Sequence, residues 1–230
     1  MPDFQVSIKK RYRYSPLYSD QVRILHLQPG EPNDTVFVEI SPEKLDGDII
    51  KYSALSWEWG SERAREAIRI KDKGNTDSEI RMMPIKPNLL AALKRLRQRH
   101  KIERLWVDAI CIDQTELDDN VDTVKQRNLE KSNQISMMTK IYGMAEKVCV
   151  WLGEESEDSA KAVQFIDRLV KLEDMYYIAG LERSSNFDYS IANDLGSLIK
   201  LLKRGWFNRR WVVQVTYTVS PTLALSLNTK

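Results

Sequence analysis

The stretch LWVDAICIDQ, residues 105–114, combines a nearly continuous apolar run with four polar or reactive side chains. Asp108 lies inside the run, and Cys111, Asp113 and Gln114 stand at or near its end. Because burial of an unpaired carboxylate is costly, Asp108 needs partners if this segment lies in the core. We predict that the apolar part, LWVDAICI, is a buried strand whose polar end borders a site.

Two further apolar runs resemble this stretch and end in glycine, at Gly60 and Gly153. Helical periodicity separates the three runs. Leucines recur every three or four residues after Asn88, a plausible helix N-cap, and similar stripes precede residue 147 and follow residue 158. The charged segment after Gln114, TELDDNVDTVKQRNLEKS, is expected to be a loop. Strands that alternate with helices favour an α/β fold with a mainly parallel sheet, to which VRILHLQ and TVFVEI add N-terminal strands.

The polar residues that follow these runs should gather at one edge of the sheet. In open α/β sheets, ligands bind outside the carboxyl ends of the strands. The residues at those ends are Ser56, Trp57, Glu58, Trp59 and Gly60 after the first run, Asp113 and Gln114 after the second, and Gly153 and Glu154 after the third. We therefore expect Asp108, Asp113 and Gln114 to lie close to Ser56 and Trp59.

Length, composition and charge indicate an ordinary globular protein. The chain has 230 residues, of which 42% are hydrophobic and 30% charged, with a net charge of +2. A nearly balanced charge favours no polyanionic partner, and the basic cluster between Lys9 and Arg13 is interpreted as a solvated arm rather than a nucleic-acid-binding arm. Neither a membrane span nor a signal peptide is predicted, which indicates a cytoplasmic protein without a membrane partner.

The few cysteines and histidines favour no metal chemistry. His26 and His100 lie far apart and lack the spacing of a zinc site. Cys111 and Cys149 both lie in apolar runs, so we expect two buried, reduced thiols that are not bonded to each other. No residue nearby in sequence would activate Cys111 as a nucleophile, and a core thiol is the favoured interpretation.

Four blocks of the chain, in order, resemble the signature blocks of the fungal heterokaryon incompatibility (HET) domain: YSALSWEWG (52–60), LWVDAICIDQ (105–114), MTKIYGMAEKVCVWLG (138–153) and RGWFNRRWVVQ (204–214). The resemblance implies a domain at 15–215, preceded by a basic arm at 1–14 and followed by a tail at 216–230. It also implies a cytosolic trigger of cell death in self/non-self recognition. Such a domain would act with receptor-like nucleotide-binding proteins or by self-assembly.

HET domains are in turn remotely similar to TIR domains, which implies a flavodoxin-like, doubly wound fold. Some TIR domains cleave NAD, so the alternative function is a TIR-like NAD glycohydrolase with NAD as substrate and no bound cofactor. HET domains usually carry a glutamate after Trp-Val-x-Gln, but here Val215 follows Gln214. Because a glycohydrolase needs a carboxylate, this departure favours a signalling or assembly module in which Glu58 is the fallback carboxylate. The C-terminal end of the domain is expected to be altered or incomplete.

Each candidate residue also has a structural interpretation. Asp108 could bind a ribose hydroxyl, but it is expected to hold a loop by accepting backbone N–H bonds. The other candidates divide between ligand contact and packing, capping or solvated roles. The complete candidate set of ligand-binding residues comprises Ser56, Trp57, Trp59, Gly60, Asp108, Asp113, Gln114, Arg210 and Gln214.

Overall fold

The computed structural model describes residues 11–45, 50–75, 79–114, 121–170, 189–209 and 223–226. Within these residues one sheet is built from eight strands: β1 (Gln21–Leu27), β2 (Phe37–Lys44), β3 (Ser53–Trp57), β4 (Glu66–Asp72), β5 (Arg81–Ile85), β6 (Glu103–Trp106), β7 (Lys147–Trp151) and β8 (Leu223–Ser226). Their order across the sheet is β5-β4-β2-β1-β6-β3-β7-β8.

The sheet has a parallel half and a mixed half. Strands β6, β3, β7 and β8 are parallel to one another. On the other side, β1 is antiparallel to both β6 and β2, β2 is parallel to β4, and β4 is antiparallel to β5. This arrangement confirms the predicted α/β fold with extra N-terminal strands, although the antiparallel pairs make the sheet as a whole mixed.

The parallel half has the strand order of a flavodoxin-like sheet. Numbered along the chain, β3, β6, β7 and β8 are its first to fourth strands, and across the sheet they run second, first, third, fourth. That order begins the 2-1-3-4-5 pattern of flavodoxin-like proteins. The pattern is a property of topology, and the remote similarity to TIR domains remains a prediction.

Six α-helices and one 3-10 helix occur within the described residues. They are α1 (Pro87–Leu96), α2 (Asp108–Cys111), α3 (Val121–Ser136), α4 (Met138–Met144), α5 (Ser159–Val170), α6 (Tyr189–Leu202) and the 3-10 helix (Gly205–Asn208). None of these helices is long and apolar enough to cross a membrane.

The helix α1 confirms the predicted leucine stripe and corrects its start. Leu89, Ala92 and Leu93 are buried. The N-cap position belongs to Lys86 rather than Asn88, and Pro87 occupies the first helical turn. Proline suits that turn because its missing N–H would have no partner within the helix. The Asn88 amide is thereby available for contacts with other elements.

The predicted strand over residues 105–112 is wrong beyond Trp106. There β6 ends, and Asp108 begins the single helical turn α2, in which the Cys111 N–H donates to the Val107 carbonyl at 2.7 Å. A short apolar run fits a buried strand and a buried helical turn equally well. The turn aims the Asp108 side chain back towards the end of β3, as its hydrogen bonds show.

The predicted charged loop is also wrong from residue 121 onward, where the helix α3 begins. This helix lacks an apolar stripe, and Gln134 is its buried residue. Polar contacts hold it instead. Glu130 accepts a hydrogen bond from buried Arg23 at 2.7 Å, and Gln134 donates to the Gln21 carbonyl at 2.7 Å.

The core is continuous across the sheet and is densest in the parallel half. All five residues of β3 are buried. Three tryptophans, Trp57, Trp106 and Trp151, are among the largest fully buried side chains. Because Trp57 and Trp151 stand at the carboxyl ends of adjacent strands, the core is closed by large side chains at that edge.

Candidate functional site at the carboxyl ends of the parallel strands

The strand order locates the site between the loops that follow β3 and β7. In a flavodoxin-like sheet, the ligand crevice lies outside the carboxyl ends of the first and third strands, where the order reverses. Here these strands are β3 and β7, and Trp57 pairs with Trp151 at their ends. By this rule, the crevice position is the space between residues 58–60 on one side and 152–154 on the other.

Buried Asp108 links two strand ends through its carboxylate. Oδ1 accepts the indole N–H of Trp57 at 2.9 Å, and Oδ2 accepts that of Trp59 at 2.9 Å. The Ala109 N–H also donates to Oδ1, at 2.7 Å. Burial raises the pKa of the Asp108 carboxyl, while the two indole bonds and the Arg209 charge lower it. Asp108 therefore holds the loop after β3 through two indole N–H groups and accepts one backbone N–H, whereas the sequence predicts backbone donors alone.

The two indoles bound to Asp108 form one unit. Their ring centres lie 5.7 Å apart and their planes are 21° from parallel. Trp57 is buried, whereas Trp59 is half-buried and borders solvent. The Lys86 ammonium lies 5.8 Å from the centre of the Trp59 ring and donates to the Gly60 carbonyl at 2.9 Å. The loop after β3 is therefore fixed from both sides.

Residues after α6 close over the end of β3. The Trp206 indole donates to the Ser56 hydroxyl at 2.9 Å, and both side chains are buried. The Arg209 guanidinium donates to the Trp57 carbonyl. Trp206 is therefore a core residue, and the predicted ligand residue Ser56 has a structural partner.

Asn88 bridges the two sides of the crevice. Its amide nitrogen donates to the Glu58 carbonyl at 2.8 Å, and its amide oxygen accepts the Trp151 indole N–H at 2.7 Å. The sequence pattern predicts only a capping role for Asn88, because its bonding partners lie in distant segments.

Arg204 holds the loop after β7. Its guanidinium donates to the Leu152 carbonyl at 2.9 Å and to the Ser159 hydroxyl at 2.8 Å. Between these partners the chain turns at Gly153, whose φ of 95° is one that L side chains rarely adopt. The loop therefore depends both on glycine and on an arginine from beyond α6.

The half-buried side chain of Glu58 packs against Gly205 at the start of the 3-10 helix. A Cβ atom at position 205 would overlap the Glu58 carboxylate. A larger residue at position 205 would therefore displace the Glu58 carboxylate from its described position. The arrangement leaves the fallback carboxylate at the edge where a ligand would bind.

The described contacts bring together Ser56, Trp57, Glu58, Trp59 and Asp108. Asp113 pairs with Arg127 of α3 at 3.2 Å, and Gln114 is half-buried. Gly60 is exposed and has a φ of 57°. Three positions of interest, Arg210, Gln214 and Val215, lie outside the described residues.

The two cysteines are buried thiols that are poorly placed to react. Cys111 and Cys149 are free and buried, as predicted. Burial raises the pKa of the Cys111 thiol to about 12, which disfavours the nucleophilic thiolate. Within the described part of the chain, no group of three or more His, Cys, Asp or Glu side chains is placed to hold a metal ion.

The fold and the site define an α/β domain in which tryptophan and arginine side chains cover the carboxyl end of β3. A family model described as heterokaryon incompatibility protein (HET) matches residues 52–214. The chain belongs to the HET family.

A curated relative supports this assignment. Heterokaryon incompatibility protein 6, OR allele, of Neurospora crassa is 28% identical over 227 residues. The match covers 85% of this chain and 32% of the relative, so the chain spans about a third of that protein's length. No solved structure matches the chain.

Proposed function

We propose that this chain is a signalling and assembly domain that induces cell death in fungal self/non-self recognition. Membership of the HET family and the similarity to a heterokaryon incompatibility protein support a role in that process. The observation that carries the assembly interpretation is the hydrogen-bonded closure of the crevice around Asp108. Its carboxylate accepts three N–H groups of the chain itself.

The closed crevice supports signalling through a change of conformation. The Ser56 hydroxyl accepts the Trp206 indole N–H, and the Trp57 carbonyl accepts the Arg209 guanidinium. A nucleotide that enters between the loops must displace the 3-10 helix or the loop that contains Trp59. Binding there would thus move residues 204–209. Such a movement is a means of exposing a surface for receptor-like nucleotide-binding proteins or for another copy of the chain.

Growth of a fungal host that expresses the chain tests this proposal. Expression of the wild type should arrest growth. Trp206→Ala removes the indole bonded to Ser56, and the growth rate of cells that express this variant should differ strongly from that of cells that express the wild type. A matched control is Phe207→Ala, which removes the neighbouring ring but leaves the bond to Ser56. Equal protein levels must be shown by immunoblot. Unimpeded growth with abundant, folded wild-type protein would refute the proposal.

The second candidate function is a TIR-like NAD glycohydrolase. It is favoured by the half-buried Glu58 carboxylate, which packs against Gly205 at the edge where the strand order reverses. Cleavage of a nicotinamide–ribose bond needs a carboxylate near the oxocarbenium-like transition state. Because Val215 occupies the position of the family's usual glutamate, we expect little cleavage by the chain as it stands.

Release of free nicotinamide from NAD by purified protein distinguishes the two functions. The assay should cover protein concentrations high enough for assembly. Val215→Glu should raise the rate about 10²–10⁴-fold, the usual range for a positioned acid–base carboxylate. If the wild type cleaves NAD rapidly and Glu58→Gln abolishes that activity, the enzyme replaces the assembly domain as the proposed function.

A further inference from the structure

A groove away from the crevice runs along α1 and has a volume of about 400 Å³. Its lining includes Gly30 from the turn after β1, Lys94 and Arg95 from the last turn of α1, Arg97 and Arg99 from the segment that follows, and Glu154 from the loop after β7. Pro32 and Ala91 complete the lining, so four of the eight lining residues are cationic. The volume falls within the usual range of about 300–1,000 Å³ for small-molecule sites.

The charges of the groove are only weakly neutralised. Arg97 donates to the carbonyl oxygens of Glu31 and Asp34, which are neutral acceptors. Arg99 pairs with the Glu31 carboxylate at 3.4 Å, but both side chains are more than half exposed, and exposed pairs of this kind are worth little. Lys94 and Arg95 are exposed, and neither forms an ion pair with any other residue that the structure describes.

Stabilisation of α1 explains only part of this cluster. Lys94 and Arg95 in the last turn complement the helix dipole. Arg97 and Arg99 lie beyond the helix, however, and the Arg97 bonds to the turn after β1 form a wall of the groove. A guanidinium held by neutral carbonyls keeps its full charge and is oriented in advance, which suits it to bind an anion.

The lining also suggests the shape of the ligand. The end of β1 lies beside the start of β6, at the amino ends of the parallel strands. Glu154 follows the end of β7, at their carboxyl ends. The groove therefore extends from the amino ends of these strands towards their carboxyl ends. Glu154 would repel a phosphate but accept a hydrogen bond from a hydroxyl group. Pro32 and Ala91 provide apolar contacts along the groove.

We infer that this groove binds a small molecule with two or more phosphate groups at one end and hydroxyl groups at the other. The phosphates contact the basic side chains of α1 and the segment after it, and the hydroxyl end contacts Glu154. A nucleic acid is a poorer match, because the positive charge is confined to a concave site with carboxylates at its margin and the net charge of the chain is only +2.

Titration calorimetry with inorganic tripolyphosphate and with adenosine diphosphate at low salt tests the inference. We expect both to bind the full chain and adenosine to show no binding. The double variant Lys94→Glu with Arg95→Glu should lower the affinity for both anions at least tenfold. Glu154→Gln should tighten tripolyphosphate binding, because it removes a repulsive charge, and should weaken the preference for the hydroxyl-bearing nucleotide.

The matched control is Lys51→Glu with Lys125→Glu, which makes the same charge change at two exposed positions outside the groove. Affinity that falls equally in the control shows general electrostatic attraction and overturns the inference, as does undetectable tripolyphosphate binding to folded wild type.

Vesicles that contain a phosphoinositide identify the source of the phosphates. Vesicle binding that depends on Lys94 and Arg95 assigns the groove to a lipid headgroup, and its absence assigns it to a soluble ligand. Tighter binding of an RNA oligonucleotide than of tripolyphosphate would refute a small-molecule site.

Discussion

The indole N–H of Trp206 lies 2.9 Å from the hydroxyl oxygen of Ser56, a residue 150 positions earlier in the chain. Both side chains are buried at the carboxyl edge of the sheet, where β3 meets the 3-10 helix. Burial of both groups makes the bond sensitive to substitution, because a donor that loses its acceptor cannot turn to water. The pair therefore reports directly on closure of the crevice.

Ser56→Ala should destabilise the fold by about 1–3 kcal/mol, because the Trp206 N–H loses its buried acceptor. Urea unfolding followed by circular dichroism measures this change. A double-mutant cycle with Trp206→Phe should reveal a coupling of about 0.5–3 kcal/mol. Ser53→Ala, in the same buried strand, serves as the control. Strict additivity of the two substitutions would contradict the described bond.

Asp108→Asn should destabilise the fold by about 1–3 kcal/mol, because the amide keeps one acceptor oxygen and presents N–H groups where a second acceptor is needed. One of the indoles of Trp57 and Trp59 then faces a donor. Tryptophan fluorescence should shift to the red as Trp59 is released to solvent. Asp20→Asn alters an exposed pair with Lys44 and should have a smaller effect. A variant as stable as the wild type would show that Asp108 does not hold the loop.

His26 should make the fold less stable as the pH falls from about 6.5 to about 4. Its pKa is lowered to about 4, first by burial and then by the charges of Lys73 and Arg104, which outweigh those of Glu43 and Glu39. The Lys73 ammonium lies 3.1 Å from Nδ1, so Nε2 carries the proton and donates to the Ser41 hydroxyl at 2.8 Å.

The direction of this change in stability with pH follows from proton uptake by His26. Between those pH values the unfolded state binds a proton at this histidine and the folded state does not, so acidification favours unfolding. The loss should reach about 2–3 kcal/mol, at about 1.4 kcal/mol per pKa unit. Urea unfolding at several pH values should show a shallower pH dependence for His26→Gln and an unchanged one for exposed His100→Gln. Equal slopes in the wild type and His26→Gln would exclude this histidine as the cause.

Cys111 and Cys149 should react slowly with a thiol reagent in the native protein and rapidly in urea. Both side chains are buried, and burial raises the pKa of each thiol. The reacting species is the thiolate, so burial restricts both access and ionisation. Labelling with Ellman's reagent, with the single variants Cys111→Ala and Cys149→Ala to assign each thiol, measures the two rates. Rapid native labelling of either residue would contradict its described burial.

The sequence pattern predicts the parts of this fold that consist of buried apolar strands. The runs that contain β3 and β7 are recognisable because burial on both faces produces continuous apolar sequence, and β1 and β2 are recognisable from the alternation of apolar and polar residues. By contrast, β4 and β5 were not predicted. The sequence pattern predicts a loop where α3 lies, because polar bonds such as Arg23–Glu130, rather than an apolar stripe, attach this helix to the sheet.

The candidate site was predictable in position but not in its bonding. Polar residues at strand ends located the edge that contains Ser56, Trp57 and Asp108. The roles of Asn88 and Arg204 could not be inferred, because each depends on partners in other elements of the sheet. Their sequence neighbourhoods show only a helix start and an arginine-rich segment. Position 215, where the family's usual glutamate is replaced, lies outside the described residues, and its role remains a prediction.

The interior position of β1 has a consequence for how the chain folds. This strand pairs with β2 a few residues later, so that hairpin can form early. The other edge of β1 stays unpaired until β6 has been synthesised. In the same way, Leu55 of β3 can pair with Cys149 of β7 only after the long segment between them has been synthesised. Pairing over such sequence separations is slow. During that interval the unpaired edges of β1 and β3 are open to association with other chains.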